Sequence, residues 1–165
     1  YLAVKSKEID IWPIWSEVET EIRSLIKKQL IEKYGTEWEN GYRNEFKNNE
    51  GECVVLDGSK KSLGLIKERD RSKRLFGDLA SNHLIDYTLP RQMFDNFISK
   101  DWNFYREVFG GQKGDWSPIF QHLAKIRNPI AHNNPDFLSL SDKSLAEGYC
   151  SKIILKIKQW KINNE

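Results

Sequence analysis

A chain of 165 residues, 39% hydrophobic and 30% charged, has the size and balance of one soluble globular domain, for which roughly 100 to 200 residues is usual. Its net charge of +2 excludes a global field of the kind that draws in nucleic acid or an anionic membrane, so any basic surface is a local patch. Six Trp, six Tyr and eight Phe bring large areas to bury, which excludes a disordered segment.

From Ile11 to Tyr34, Trp15, Val18, Ile22, Leu25, Ile26 and Leu30 recur at three- and four-residue steps, which predicts a long amphipathic helix stopped by Gly35. Trp38, Tyr42 and Phe46 predict a shorter second helix within Thr36 to Phe46. The stretch NNEGECVVLDGSKK, Asn48 to Lys61, reads as a loop with a brief extended piece at Val54 to Leu56. Ser62 to Leu84 resumes helical spacing through Leu65, Ile66, Leu75, Leu79 and Leu84, weakened by Gly64 and Gly77. Its run KERDRSKR reads as a solvated face, since Glu68 and Asp70 interrupt Lys67, Arg69, Arg71, Lys73 and Arg74.

Asp86 to Pro90 is a turn, with Pro90 suited to the first position of the next helix. Gln92 to Ile98 and Trp102 to Phe109 follow as two short helical pieces parted by Ser99, Lys100 and Asp101, and GGQKG closes the second. Asp115 or Ser117, beside Pro118, starts a helix through Ile119, Phe120, Leu123 and Ile126. Asn133 to Ser141 is a loop, and Ser144 to Lys161 is a final helix with Ile153, Ile154, Ile157 and Trp160 on one side. The expected fold is an all-α bundle of about five to seven helices with an aromatic-rich core, residues 1–165 forming one domain.

Cys53 and Cys150 lack CxxC or Cys/His spacing, so neither a disulfide framework nor a metal site is expected, and a reducing cytoplasm is the default compartment. No apolar run reaches the roughly 18 residues of a membrane span, nor is there a signal-peptide pattern. The chain opens on Tyr1 rather than Met, which points to a piece cut from a longer protein with further domains.

One stretch carries chemistry. KIRNPIAHNN, Lys125 to Asn134, holds one of only three histidines. In an ideal helix Arg127 and His132 differ by about 140°, whereas Asn128 and His132, four apart, share a face. The Asn128 amide is thus placed to hydrogen-bond the ring and fix its tautomer. Pro129 removes a donor and crowds the carbonyl of Lys125, so the helix is expected to kink there, or to restart with Asn128 as N-cap and Pro129 at N1.

Arg, Asn and His together suit phosphodiester cleavage by the neighbouring ribose 2′-hydroxyl, without metal or other cofactor. His132 is the general acid/base, Arg127 stabilises charge on the phosphoryl oxygens, and Lys125 and Asn133 are candidates to line an RNA path. A single His does not readily serve as both base and acid. A second copy of the motif facing the first completes the site, which predicts a homodimer through the motif face or a pairing with another such domain. His122 reads as a helix-surface or interface residue and His83 as a helix-end residue. The tryptophans read as core rather than as base-stacking platforms.

These residues carry a resemblance. LAKIRNPIAHN, following LIDYTLPRQMFDNFISKDWNFYREVFG, resembles the HEPN superfamily (higher eukaryotes and prokaryotes nucleotide-binding), whose signature is Arg, four to six residues, then His, often with Asn after the Arg. Arg127, Asn128 and His132 match it, and the likeness extends over roughly Ile85 to Asn134. The resemblance implies a helical bundle and, in many members, metal-independent RNase activity at a site where two motifs meet. Such domains serve in toxin–antitoxin pairs, CRISPR effectors, abortive infection and RNA surveillance; other members only bind RNA or nucleotides, or act as dimerisation scaffolds. Nucleotidyltransferase-linked members carry a Tyr two residues after the His, where this chain has Asn134, so regulation through such a tyrosine is not expected.

Overall fold

The computed structural model describes residues 10–131 and 139–164, with residues 128–131 described as backbone alone. The fold is all-α: no strand occurs among the described residues, and six helices reach eight residues or more. They are α1 (Trp12–Tyr34), α2 (Trp38–Phe46), α3 (Leu65–Phe76), α4 (Trp102–Phe109), α5 (Lys113–Ala131) and α6 (Leu140–Asn164). No helix among the described residues is long and apolar enough to cross a membrane. The chain divides into two compact units, one taking in the residues up to Ile22 and from Pro90 onward, the other Arg23–Leu89.

In the first unit the beginning of α1 buries Trp15, Val18 and Ile22, at the spacing the sequence pattern predicts. The segment 90–109 is helical throughout: Pro90 opens a turn of α-helix, Met93–Ile98 widens into a π-helix, and Ser99–Asp101 tightens into a 3₁₀ turn before α4. The two expected pieces are thus joined. This stretch buries Met93, Phe94, Phe97 and Ile98 together. Gly110, at φ +75°, ends α4 by donating its N–H to the Arg106 carbonyl. Rings then link this segment to α5, with Phe109 of α4 5.0 Å from Trp116 and Phe94 of the π-helical stretch 5.0 Å from Phe120.

Helix α5 begins at Lys113, earlier than Asp115 or Ser117. Asp115 sits in the first turn and reaches back to accept the Gln112 N–H at 2.8 Å, which satisfies a donor the helix cannot and sets the start there. Helix α6 likewise begins at Leu140 rather than Ser144, because the Ser139 hydroxyl caps the Asp142 N–H at 3.0 Å. Leu140 and Ser141 are therefore helical and Ser139 precedes the helix; residues 133–138 of the expected loop lie outside the described residues.

In the second unit α1 ends where expected, with Gly35 at φ +84° donating to the Ile31 carbonyl. The brief extended piece is instead a single helical turn, Val54–Asp57. Asp57 accounts for the difference: it accepts the Cys53 N–H at 3.2 Å and closes the turn on itself, overriding the β preference of two valines. Helix α3 does not run from Ser62 to Leu84. It starts after Gly64 and stops at Gly77 (φ +58°), so Leu75 and Leu79, expected on a buried face, are 65% and 92% exposed. His83 caps the following 3₁₀ turn, its Nδ1 accepting the Ile85 N–H at 3.2 Å, and stacks on Trp38 at 5.6 Å between ring centres.

Candidate functional site

Helix α5 carries the Arg–Asn–Pro segment to its end. Ile119, Phe120, Leu123 and Ile126 are buried along one side, and this stripe fixes the rotation of the helix. With Ile126 inward, Lys125 is exposed and Arg127 is half-buried at the margin.

The expected restart does not occur. The α5 backbone passes through Asn128 and Pro129 to Ala131 as one helix, with no N-cap at Asn128. Proline costs one hydrogen bond and some crowding at the carbonyl four residues back, and a helix anchored by four buried apolar side chains just before it absorbs that locally. The Asn128 side chain, His132 and Asn133 lie outside the described residues, so the Asn128–His132 and Arg127–His132 relationships do too.

What the fold does bring to Arg127 is a carboxylate. The guanidinium Nε–H donates to Glu19 Oε1 at 3.3 Å, joining α5 to the beginning of α1. The same oxygen accepts the indole Nε1–H of buried Trp15 at 3.0 Å, one helical turn away from Glu19. Glu19 is the functional candidate that sequence reasoning missed. The signal was present only as Trp15 and Glu19 at an i, i+4 spacing, with nothing to say that Arg127 closes on them.

Two further acidic residues of the same helix, Glu17 and Glu21, pair with Lys158 at 3.5 Å and Lys161 at 2.7 Å on α6. The opening of α1 is thus braced against α5 through Glu19 and against α6 through Glu17 and Glu21. Glu19 is also felt at Cys150, whose buried thiol is pushed up to about 12, first by burial and then by the negative charges of Glu147 and Glu19. That thiol is protonated and inert at neutral pH.

The other sequence candidates fall elsewhere. His122, on α5, lies with its Nε2 3.5 Å from the Asp142 carbonyl and its ring edge-on to Tyr149, which joins α5 to α6 as an interface residue would. In the second unit the basic run of α3 is mostly exposed; Arg69 is tied to Glu39 and the Asn82 carbonyl. Trp15, Trp38 and Trp116 are buried, while Trp12 is 51% exposed. Chemically, the Arg127 region holds a partly exposed guanidinium gripped by a desolvated carboxylate, a combination suited to binding an anion at a fixed place. No family model, no curated protein and no solved structure matches this chain.

Proposed function

We propose that this chain is a HEPN-like domain that cleaves RNA without metal, at a composite site where the motifs of two copies meet, in an antiviral, toxin or RNA-surveillance setting. The observation that carries the reading is the placement of Arg127: half-buried at the end of α5, held by Glu19, and five residues before His132 in the chain. In this reading a ribose 2′-hydroxyl attacks the adjacent phosphorus as His132 of one copy takes its proton. The bond to the 5′-oxygen breaks, and His132 of the second copy protonates that leaving oxygen, giving a 2′,3′-cyclic phosphate and a 5′-hydroxyl. Arg127 neutralises the charge gathering on the non-bridging oxygens, Asn128 orients the His132 ring, and Lys125 and Asn133 line the RNA path.

The test is incubation of end-labelled RNA with the chain in EDTA, beside His132→Ala and Arg127→Ala. Cleavage that survives the chelator and falls about 100-fold or more in both variants is expected. Absence of cleavage in all three, at high protein concentration and with varied RNAs, overturns the reading.

A second reading has an observation of its own. An Arg already paired with a carboxylate between two helices is also what a scaffold needs, so the same face would join copies or bind RNA without cutting it. It predicts binding or dimerisation with no cleavage, and Arg127→Ala would then lower stability rather than abolish a reaction.

A further inference from the structure

Two side chains converge on one oxygen of a third. Glu19 Oε1 accepts the Trp15 indole N–H at 3.0 Å and the Arg127 Nε–H at 3.3 Å, so its place is fixed from two directions. Trp15 is 2% exposed and the Glu19 side chain 15%, which keeps water from competing strongly for that oxygen. Glu17 and Glu21, which brace the same helix against α6, are more exposed at 47% and 26% and pair with lysines. A simple brace does not require the enclosure or the second donor that Glu19 has.

A guanidinium is a rigid plane. Gripping it at Nε fixes the direction of the opposite edge, where the two Nη groups match a phosphate in bidentate fashion. We propose that Glu19, clamped by Trp15, is a positioning residue for Arg127, aiming the Nη edge of its guanidinium at the scissile phosphate of bound RNA. This rests on the endoribonuclease reading. Glu19 touches no reacting atom; it acts through Arg127, and it needs an acceptor oxygen in place more than a negative charge.

The experiment measures kcat and KM for RNA cleavage in EDTA by the full chain. Glu19→Ala is expected to lower kcat about 10- to 100-fold, as the loss of alignment at a reacting centre does, with KM changed much less. Glu19→Gln presents the same oxygen to Trp15 and Arg127, and is expected to stay within about threefold of the unsubstituted chain. Glu19→Asp withdraws the carboxylate by one methylene and should reproduce the loss even if Glu19→Ala does not fold. The deciding arm is a cycle with Arg127→Lys, whose ammonium has no plane to orient: there Glu19→Asp is expected to cost less than about twofold.

Equal losses in the Arg127 and Lys backgrounds mean that Glu19 acts on the fold, and overturn the inference. So does a chain that cleaves RNA normally with Asp or Ala at position 19. A Gln variant as damaged as the Ala variant shows that the charge itself is needed, and overturns it as stated. A chain that cleaves nothing overturns the endoribonuclease reading, and this inference with it.

Discussion

Arg43 holds Asp57 by both carboxylate oxygens, with Nη2 2.9 Å from Oδ1 and Nε 3.2 Å from Oδ2, and Oδ2 also accepts the Cys53 N–H at 3.2 Å. A single carboxylate therefore ties α2 to the Val54–Asp57 turn and closes that turn. The Arg43 hydrogen bond holds the Asp57 carboxyl below its ordinary range, helped by the Cys53 amide and opposed by burial. The folded-state pKa is depressed, so the contribution to stability is present above the unfolded carboxyl's value and is lost as pH falls through the folded one. Asp57→Ala and Arg43→Met are each expected to cost about 1 kcal/mol in urea unfolding at pH 7, a modest figure because the pair is about a third exposed. The double variant should cost less than the two singles added. Between pH 4 and 2 the loss of stability should be shallower in Asp57→Asn than in the unsubstituted chain.

The loop after that turn depends on a backbone contact no other residue permits. Gly64 stands at φ +77°, and a Cβ there would lie 2.4 Å from the Gly58 nitrogen and 2.7 Å from the Asp57 carbonyl carbon. Gly51 has a similar φ of +80° but opens onto space. Gly64→Ala is expected to destabilise by at least about 2 kcal/mol, from both the left-handed backbone and the collision, whereas Gly51→Ala carries only the backbone cost of about 1 kcal/mol. Comparing the urea midpoints of the two variants isolates the steric part; equal shifts would show that the loop yields.

Gly64 also shows where the sequence pattern stopped being readable. Taken by helical spacing, it weakened a helix from Ser62 to Leu84; in the fold it precedes α3, and Gly77 ends the helix long before Leu84. Apolar periodicity placed α1 closely because Trp15, Val18, Ile22, Leu25, Ile26 and Leu30 are all buried and Gly35 accepts the left-handed stop. It misplaced Leu75 and Leu79 because apolar periodicity does not register the helix stop at Gly77 between them. The helix starts at Lys113 and Leu140 were missed for another reason: each is set by a side chain capping a backbone N–H, a local bond that competes with the apolar pattern. At the candidate site Arg127 was legible from its motif. Its partner was not, since Glu19 lies 108 positions away and only tertiary packing pairs them.

His83 provides a pH dependence. Its ring is partly buried against Trp38 with Nδ1 accepting a backbone N–H, an arrangement that suits the neutral form. Burial lowers its pKa first, and Lys27 adds to this; Asp86 and Glu39 oppose them and Arg69 acts with Lys27. With the folded value depressed, the unfolded chain takes up a proton first as pH falls below the unfolded value of about 6.5, so stability declines there. Between pH 7.5 and 5 the free energy of unfolding should fall with a slope below the one-proton ceiling of about 1.4 kcal/mol per pH unit. His83→Asn keeps an acceptor for the Ile85 N–H and should flatten that slope. An unchanged slope in the variant would assign the effect to another group.

Tyr105 is wholly buried on α4, and its hydroxyl has no hydrogen-bond partner among the described residues. The ring earns its place by packing, edge-on to Phe104 at 4.9 Å and stacked on Phe109 at 6.4 Å. Burial, with Asp101 adding to it, holds the phenol far above its ordinary range, so it stays neutral and gains nothing by ionising. A buried hydroxyl that has left water without finding a partner costs about 1–3 kcal/mol, while the ring around it is worth keeping. Tyr105→Phe retains every ring contact and removes only that oxygen. It is therefore expected to raise stability by about 1 kcal/mol, read as a higher urea midpoint with an unchanged denaturant slope. A loss of stability on the same substitution would mean that the hydroxyl has a partner in solution.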